Sequence, residues 1–265
     1  YGKLGGHELG YGSDLDVVFI HGCESSKATN GKKAIDSRQF YLKLAQRILH
    51  FFTTRTPSGI LSELDTRLRP SGASGLLAIN INTFDDYQHN EAWTWEHQAM
   101  TRARFVMGHE AMASQFDQVR RSVISAPRDE ASLKSEIVTM RNRVRTAHSI
   151  KPDLFDVKHS PGGMVDAEFA VQYLVLMHAC AHPEMADNVG NIALLQRAEV
   201  AGLLSKDVGV KASAAYRELR RLQHKARLNE APTQVPQADL KVERDDILTL
   251  WRAVFPESVK GLNNP

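Results

Sequence analysis

The chain has 265 residues, 42% of them hydrophobic and 24% charged, a composition that excludes disordered, collagen-like and coiled-coil proteins and predicts one large domain or two ordinary ones. Lys and Arg number 33 against 31 Asp and Glu, a formal charge of +2, and the two signs stay nearly balanced on either side of residue 125. No part of the chain is a basic footprint, so nucleic acid is not an expected partner.

In chain order, the first segment reads as α/β. Asp14 leads into the apolar run Val17-Val18-Phe19-Ile20, and residues 14 to 20 are predicted as one strand. A polar loop occupies 22 to 33. Residues 36 to 53 place Phe40, Leu44, Ile48 and Phe51 at helical spacing, widened by Tyr41, Ala45 and Phe52, which predicts a mostly buried helix. After the turn Thr56-Pro57-Ser58-Gly59, residues 60 to 68 read as a second strand. Its period of two puts Glu63, Asp65, Arg67 and Arg69 on one face. Residues 70 to 75 break it, and 76 to 81 are expected to return as a hairpin partner. Residues 83 to 104 are predicted as one helix with at least one of Trp93 and Trp95 in the core, closed by Arg102 and Arg104 as structural cations.

The turn at 126 to 129 is the expected boundary between a first domain, 1–126, and a second, 127–265. Beyond it every periodic stretch is helical: Leu133, Ile137, Met140 and Val144; Val165, Phe169, Tyr173, Leu176 and Cys180; Ala215, Leu219 and Leu222; Ile247, Leu250, Val254 and Phe255. An all-α bundle ending in a frayed tail from Pro256 is predicted.

Cys23 and Cys180 are the only cysteines, too few for a disulfide framework, and a reducing, cytoplasmic setting is expected. No apolar run reaches about 18 residues and the first 30 carry Glu8, Asp14, Asp16 and Glu24, so neither a membrane span nor a leader is expected. The chain opens at Tyr1 directly on a glycine-rich turn, which reads as a piece of something longer.

The most informative residues are Gly12-Ser13-Asp14-Leu15-Asp16. On a strand, Asp14 and Asp16 project from one face about 6–7 Å apart, and two such carboxylates are costly without a cation between them. Hard divalent ions take oxygen ligands, and Asp65 on the second strand would complete a site able to hold two metals for nucleotidyl transfer. Alone, an Asp-x-Asp pair is more often a turn and a solvated carboxylate. The glycines before it, the apolar strand after it and Asp65 favour the metal. Phosphohydrolases with an aspartyl nucleophile place the pair at the end of an apolar strand, whereas here that strand follows.

The stretch from Gly2 to Asp16 resembles the polymerase-beta-like nucleotidyltransferase motif in the form found in glutamine synthetase adenylyltransferases. The resemblance continues through Leu64-Asp65-Thr66-Arg67-Leu68-Arg69-Pro70-Ser71-Gly72, Glu91-Ala92-Trp93-Thr94-Trp95-Glu96-His97-Gln98-Ala99 and Gly162-Gly163-Met164-Val165-Asp166-Ala167-Glu168-Phe169. The family is bifunctional, and the Asp65-Thr66-Arg67 and Ala92-Trp93-Thr94-Trp95 forms resemble its C-terminal, adenylylating half. Departures are His7 for the usual arginine, Gly22 where an acidic residue often stands, and Ala167 for a bulkier aliphatic.

The resemblance implies an α+β fold, a polymerase-beta-like nucleotidyltransferase domain with a mixed sheet, lacking its usual first strand, followed by the helical bundle. It implies Mg2+, two ions, held by Asp14, Asp16 and Asp65, with Asp65 as base for an incoming tyrosine hydroxyl and ATP as substrate. Gly5, Gly6, Gly12 and Ser13 would approach the triphosphate, although turn chemistry also accounts for the glycines. Arg67 and Arg69 would neutralise it or, equally, pair with Glu63 and Asp65; Lys3 is a weaker triphosphate candidate. Asp166 is an N-cap or, with Glu168, a group folded back towards nucleotide. Glutamine synthetase is the implied protein substrate, with a PII-type signal protein and glutamine as regulators. Rivals are the deadenylylating half, a protein uridylyltransferase, a polymerase, and a silent docking module.

Overall fold

The computed structural model describes residues 1–24, 26–60, 62–148, 150, 151 and 153–256. The tail expected beyond Pro256 lies outside them. The chain divides into two compact units, Tyr1–Val123 and Ile124–Pro265.

In the first unit the strand expected over 14 to 20 is two short pieces, β1 (Leu15–Asp16) and β2 (Phe19–His21). The strand expected over 60 to 68 is shorter still: β3 is Leu64–Asp65, and the chain turns at Arg67 because its backbone N–H donates to Asp65 Oδ1 at 2.8 Å. The expected hairpin is not formed. β4 (Ala78–Asn80) pairs parallel with β2, in the register Phe19↔Ala78, Ile20↔Ile79 and His21↔Asn80, while β3 pairs parallel with β1. Parallel pairing needs a crossover, which α2 (Ser37–Thr53) supplies between β2 and β3. The sheets of this unit are two-stranded and parallel among the described residues, where a mixed sheet was expected.

Helix α2 begins where predicted, with Asp36 Oδ1 accepting from Gln39 N at 2.9 Å. Its apolar stripe is not buried: of its residues only Ser37 and Ala45 are, and Phe51 is 74% exposed. Ahead of the strands lies a single helical turn, α1 (Gly2–Gly5).

The long helix expected over 83 to 104 is α3 (Ile81–Asn90) and α4 (Thr94–Met100). The break is built by Glu96, which is buried, accepts from Trp93 N at 3.0 Å and takes the Tyr87 hydroxyl at 3.0 Å. Trp93 and Trp95 are both exposed, against the core position expected for one of them. With α5 (Glu110–Ile124), the core of this unit gathers Ile79, Ile81, Phe84, Met100 and Phe116.

The second unit is built on α7 (Met164–His178), apolar around its circumference and buried over most of its length, as a helix enclosed by others must be. Against it pack α6 (Glu130–Thr146), α8 (Asn191–Val200), α9 (Val208–Leu228) and α10 (Lys241–Val254). The unit is not all-α. β5 (Leu154–Asp156) and β6 (Gln234–Pro236) pair antiparallel, tied by Thr233 Oγ1 donating to Asp156 Oδ2 at 2.9 Å. Among the described residues no helix is long and apolar enough to cross a membrane.

Candidate active site

The site is assembled by register. Asp16 on β1 lies beside Asp65 on β3, fixed by Leu15 N donating to Glu63 O and Val17 N to Asp65 O, both at 2.8 Å. Neighbouring parallel strands run about 4.8 Å apart, so aligned residues project side by side from one face. Asp14 precedes Asp16 by one pleat repeat, just before β1. Among the described residues no group of three or more His, Cys, Asp or Glu is close enough to hold a metal ion, so the arrangement is a pair of carboxylates with a third nearby.

The pair is electrostatically asymmetric. Burial raises Asp16 above the usual carboxylate range, and the charges of Asp65 and Asp14 push the same way, while the Tyr1 ammonium and Arg102 oppose. Gly2 contributes to that burial: a Cβ there would fall 2.0 Å from Asp16 Oδ2. Asp65 is held below the usual range, first by the side-chain hydrogen bonds of Arg67. Arg67 Nε reaches both carboxylate oxygens, at 3.0 and 2.8 Å, and its terminal nitrogen makes a shorter contact to Oδ2. Arg67 is otherwise in solvent.

The remaining sequence-predicted residues separate by role. Gly12, at φ +65, is a left-handed turn residue with open space where a Cβ would stand. Ser13 closes that turn, its hydroxyl accepting from Gly10 N at 3.1 Å, which leaves the hydroxyl proton free to point elsewhere. Gly5 and Gly6 face protein. A Cβ on Gly5 would lie 2.1 Å from the Arg102 carbonyl, and one on Gly6 2.6 Å from the Arg102 guanidinium. Arg69 spends its guanidinium on its own loop, donating to the carbonyls of Thr66, Ala73 and Gly75. Arg102 pairs with buried Glu8 at 2.7 Å, and Arg104 donates to Leu4 O at 3.1 Å, so both tie α1 to the end of α4.

In the second unit Asp166 is not the N-cap of α7, a position held by Gly163. It is fully buried three residues on, paired with Arg141 Nε and accepting from Gly162 N at 2.7 Å. Sequence reading missed Arg141 as its partner. Glu168 accepts from the Tyr216 hydroxyl at 2.9 Å. His178 and His182 face one another with ring centroids 6.4 Å apart and no third ligand group among the described residues.

Adjacent carboxylates on a glycine-flanked strand, with an arginine bound to one of them, make up the candidate site, and the family matches indicate a nucleotidyltransferase. Residues 1–119, which contain every element of that site, match the glutamate-ammonia ligase adenylyltransferase family model. Residues 131–234, in the second unit, match the family model of PII-uridylyltransferase, also a nucleotidyltransferase. The resemblance read from the sequence is therefore borne out.

Proposed function

We propose that the chain transfers AMP from ATP to a tyrosine hydroxyl of glutamine synthetase, releasing pyrophosphate. The observation that carries this is the register of β1 and β3, which sets Asp16 beside Asp65 inside the stretch that matches the adenylyltransferase family. The match of 131–234 to PII-uridylyltransferase lies outside that chemistry, since all three carboxylates fall within the first 119 residues.

The donor set fits Mg2+. That ion takes one or two carboxylates together with waters and substrate phosphates, and the repulsion from Asp65, which adds to burial in raising Asp16, is relieved by a cation between the two. Asp16 and Asp65 suffice for one ion; a second calls on Asp14. Bound there, the metal supplies charge neutralisation on the triphosphate.

The chain's own residues do the rest. Gly12 leaves room for the phosphates to approach backbone, and Ser13 offers its hydroxyl proton to a phosphate oxygen. Asp65 accepts the proton of the tyrosine hydroxyl as that oxygen bonds to the α-phosphorus and the bond to the β,γ-pyrophosphate breaks. Arg67, swinging from Asp65, meets the pyrophosphate charge as it leaves. A PII-type protein and glutamine act as regulators, and the setting is cytoplasmic.

The test is incubation with α-labelled ATP, Mg2+ and glutamine synthetase, with and without Asp14→Asn and Asp16→Asn. Label on a tyrosine that both substitutions abolish is the expected result. Label retained in both variants overturns the carboxylate mechanism, and label absent from the folded unsubstituted chain overturns catalysis by this chain.

A further inference from the structure

Charge is balanced over each half of the chain, yet a local surplus stands on α2. From Ser37 to Ser62, which spans that helix and the turn after it, there is no carboxylate, against Arg38, Lys43, Arg47 and Arg55. These four charges exceed the formal +2 of the whole chain, so the rest of the molecule is net negative. All four are exposed, and among the described residues none of Lys43, Arg47 and Arg55 is in an ion pair.

Interleaved with the cations is apolar surface that the fold leaves uncovered. The inner face of α2 is formed by buried Ser37 and Ala45, with Tyr41, Ile48 and Phe52 half-buried. Phe40, Leu44, Arg47 and Phe51 make a second stripe at helical spacing, and its three apolar members are exposed. At the carboxyl end of the helix this stripe runs into a recess of about 710 Å³, lined by Arg47, His50, Phe51 and Phe52 and, from the following turn, Thr56 and Ile60. That turn is preformed. Thr56 and Gly59 exchange backbone hydrogen bonds at 3.0 Å, and the Thr56 hydroxyl donates to Gly59 O at 2.9 Å. A recess with a fixed wall needs little ordering when a group enters it.

We propose that α2 and this recess dock the protein whose tyrosine accepts AMP, through a patch of that protein in which an apolar side chain is surrounded by carboxylates. The inference rests on the transfer reading above and concerns how the acceptor protein is held. A stable complex of two folded proteins covers about 800 Å² on each partner, so surface beyond the carboxylate pair has to take part. Helix α2 is at hand for it, packed on β3, the strand of Asp65, and leading into that strand. Charge selects the partner: a cationic surface without a carboxylate of its own favours an acidic patch and repels a basic one. Shape narrows the choice further. A bilayer is met by projecting apolar groups, whereas a recess rimmed by cations receives a side chain. Phe51, largely in solvent, and Arg47 beside it are the residue types that anchor protein interfaces.

The test measures binding of glutamine synthetase to the whole chain by surface plasmon resonance, beside the KM values for glutamine synthetase and for ATP in the transfer assay. Phe51→Ser and Arg47→Glu, both at exposed positions, should each weaken binding about tenfold or more and raise the KM for glutamine synthetase, with the KM for ATP and the melting temperature unmoved. Added salt should weaken binding by the unsubstituted chain more than by Arg47→Glu. Absence of binding, an affinity unchanged in both variants, or a loss confined to one of them overturns the proposal. Self-association of the chain, or capture by anionic vesicles, that both substitutions abolish while glutamine synthetase still binds also overturns it, and assigns the surface to a second copy or to a membrane. Binding without transfer leaves the docking surface standing and overturns the transfer reading; transfer with affinities unchanged in the variants does the reverse.

Discussion

Asp16 and Asp65 are neighbours with opposite titration behaviour. Asp16 has a raised folded-state pKa, so its ionised form is disfavoured by folding. Its contribution favours the fold at acid pH and is lost as pH rises through the unfolded and then the folded value. Asp16→Asn should therefore raise the melting temperature at neutral pH while lowering AMP transfer by at least about a hundredfold, beyond the ten- to hundredfold usual for a metal's outer-shell partners. Mg2+ should stabilise the unsubstituted chain more than this variant. A melting temperature unmoved or lowered by Asp16→Asn would refute the crowding argument. Asp65 runs the other way: held low by Arg67, it contributes stability above the unfolded carboxylate pKa, lost as pH falls through the folded value. Arg67→Met should move its midpoint upward in a carboxylate NMR titration, and an unmoved midpoint would show that the arginine does not set it.

Between neighbouring elements, Gly5 and Gly6 decide how α1 meets the end of α4. The obstacle to a Cβ at Gly5 is backbone, which cannot step aside, whereas at Gly6 it is the Arg102 side chain. Gly5→Ala should cost about 1–3 kcal/mol, the range of overpacked cores, and Gly6→Ala less, both read from urea midpoints. Equal and negligible costs would return these glycines to phosphate binding alone. The same scale shows what was legible in the sequence. Period announced α2, and the apolar residues of α6, α9 and α10 fell where periodicity put them. The pairing partners did not, because parallel register is set by contacts some fifty residues apart and β3 is too short to carry an alternating pattern. The exposed stripe of α2 was misjudged for a related reason: amphipathic spacing says which face is apolar, not whether anything covers it. At the site, the motif indicated the carboxylates that β1 and β3 bring together, whereas the engagement of Asp65 by Arg67 and the turn that ends β3, though made by residues two apart, leave no period to announce them.

Over the whole molecule, charge balance and buried charge pull towards separate predictions. With a formal charge of +2 the chain releases few counterions from a phosphate backbone, so no mobility shift of duplex DNA is expected at physiological salt. A salt-sensitive shift would revive the polymerase reading. Inside the second unit, by contrast, one ion pair sits with no solvent on either partner: Arg141 from α6 and Asp166 from α7. Arg141 also donates to the His159 carbonyl at 2.8 Å, and Asp166 anchors Gly162, so the pair joins two helices to the loop between them. Replacing both with apolar groups is often tolerated, but removing one strands the other. Asp166→Asn should cost about 3–5 kcal/mol, the range found when a buried pair loses one member. Trp251, buried in α10, reports it: in a Trp93→Phe, Trp95→Phe background its fluorescence follows unfolding of that unit. Removing both charges with an Arg141→Met, Asp166→Leu double substitution should recover much of the loss. A Trp251 midpoint that moves by less than about 1 kcal/mol in Asp166→Asn would mean that Arg141 finds another acceptor or water, and that the pair fixes α7 against α6 less than its burial implies.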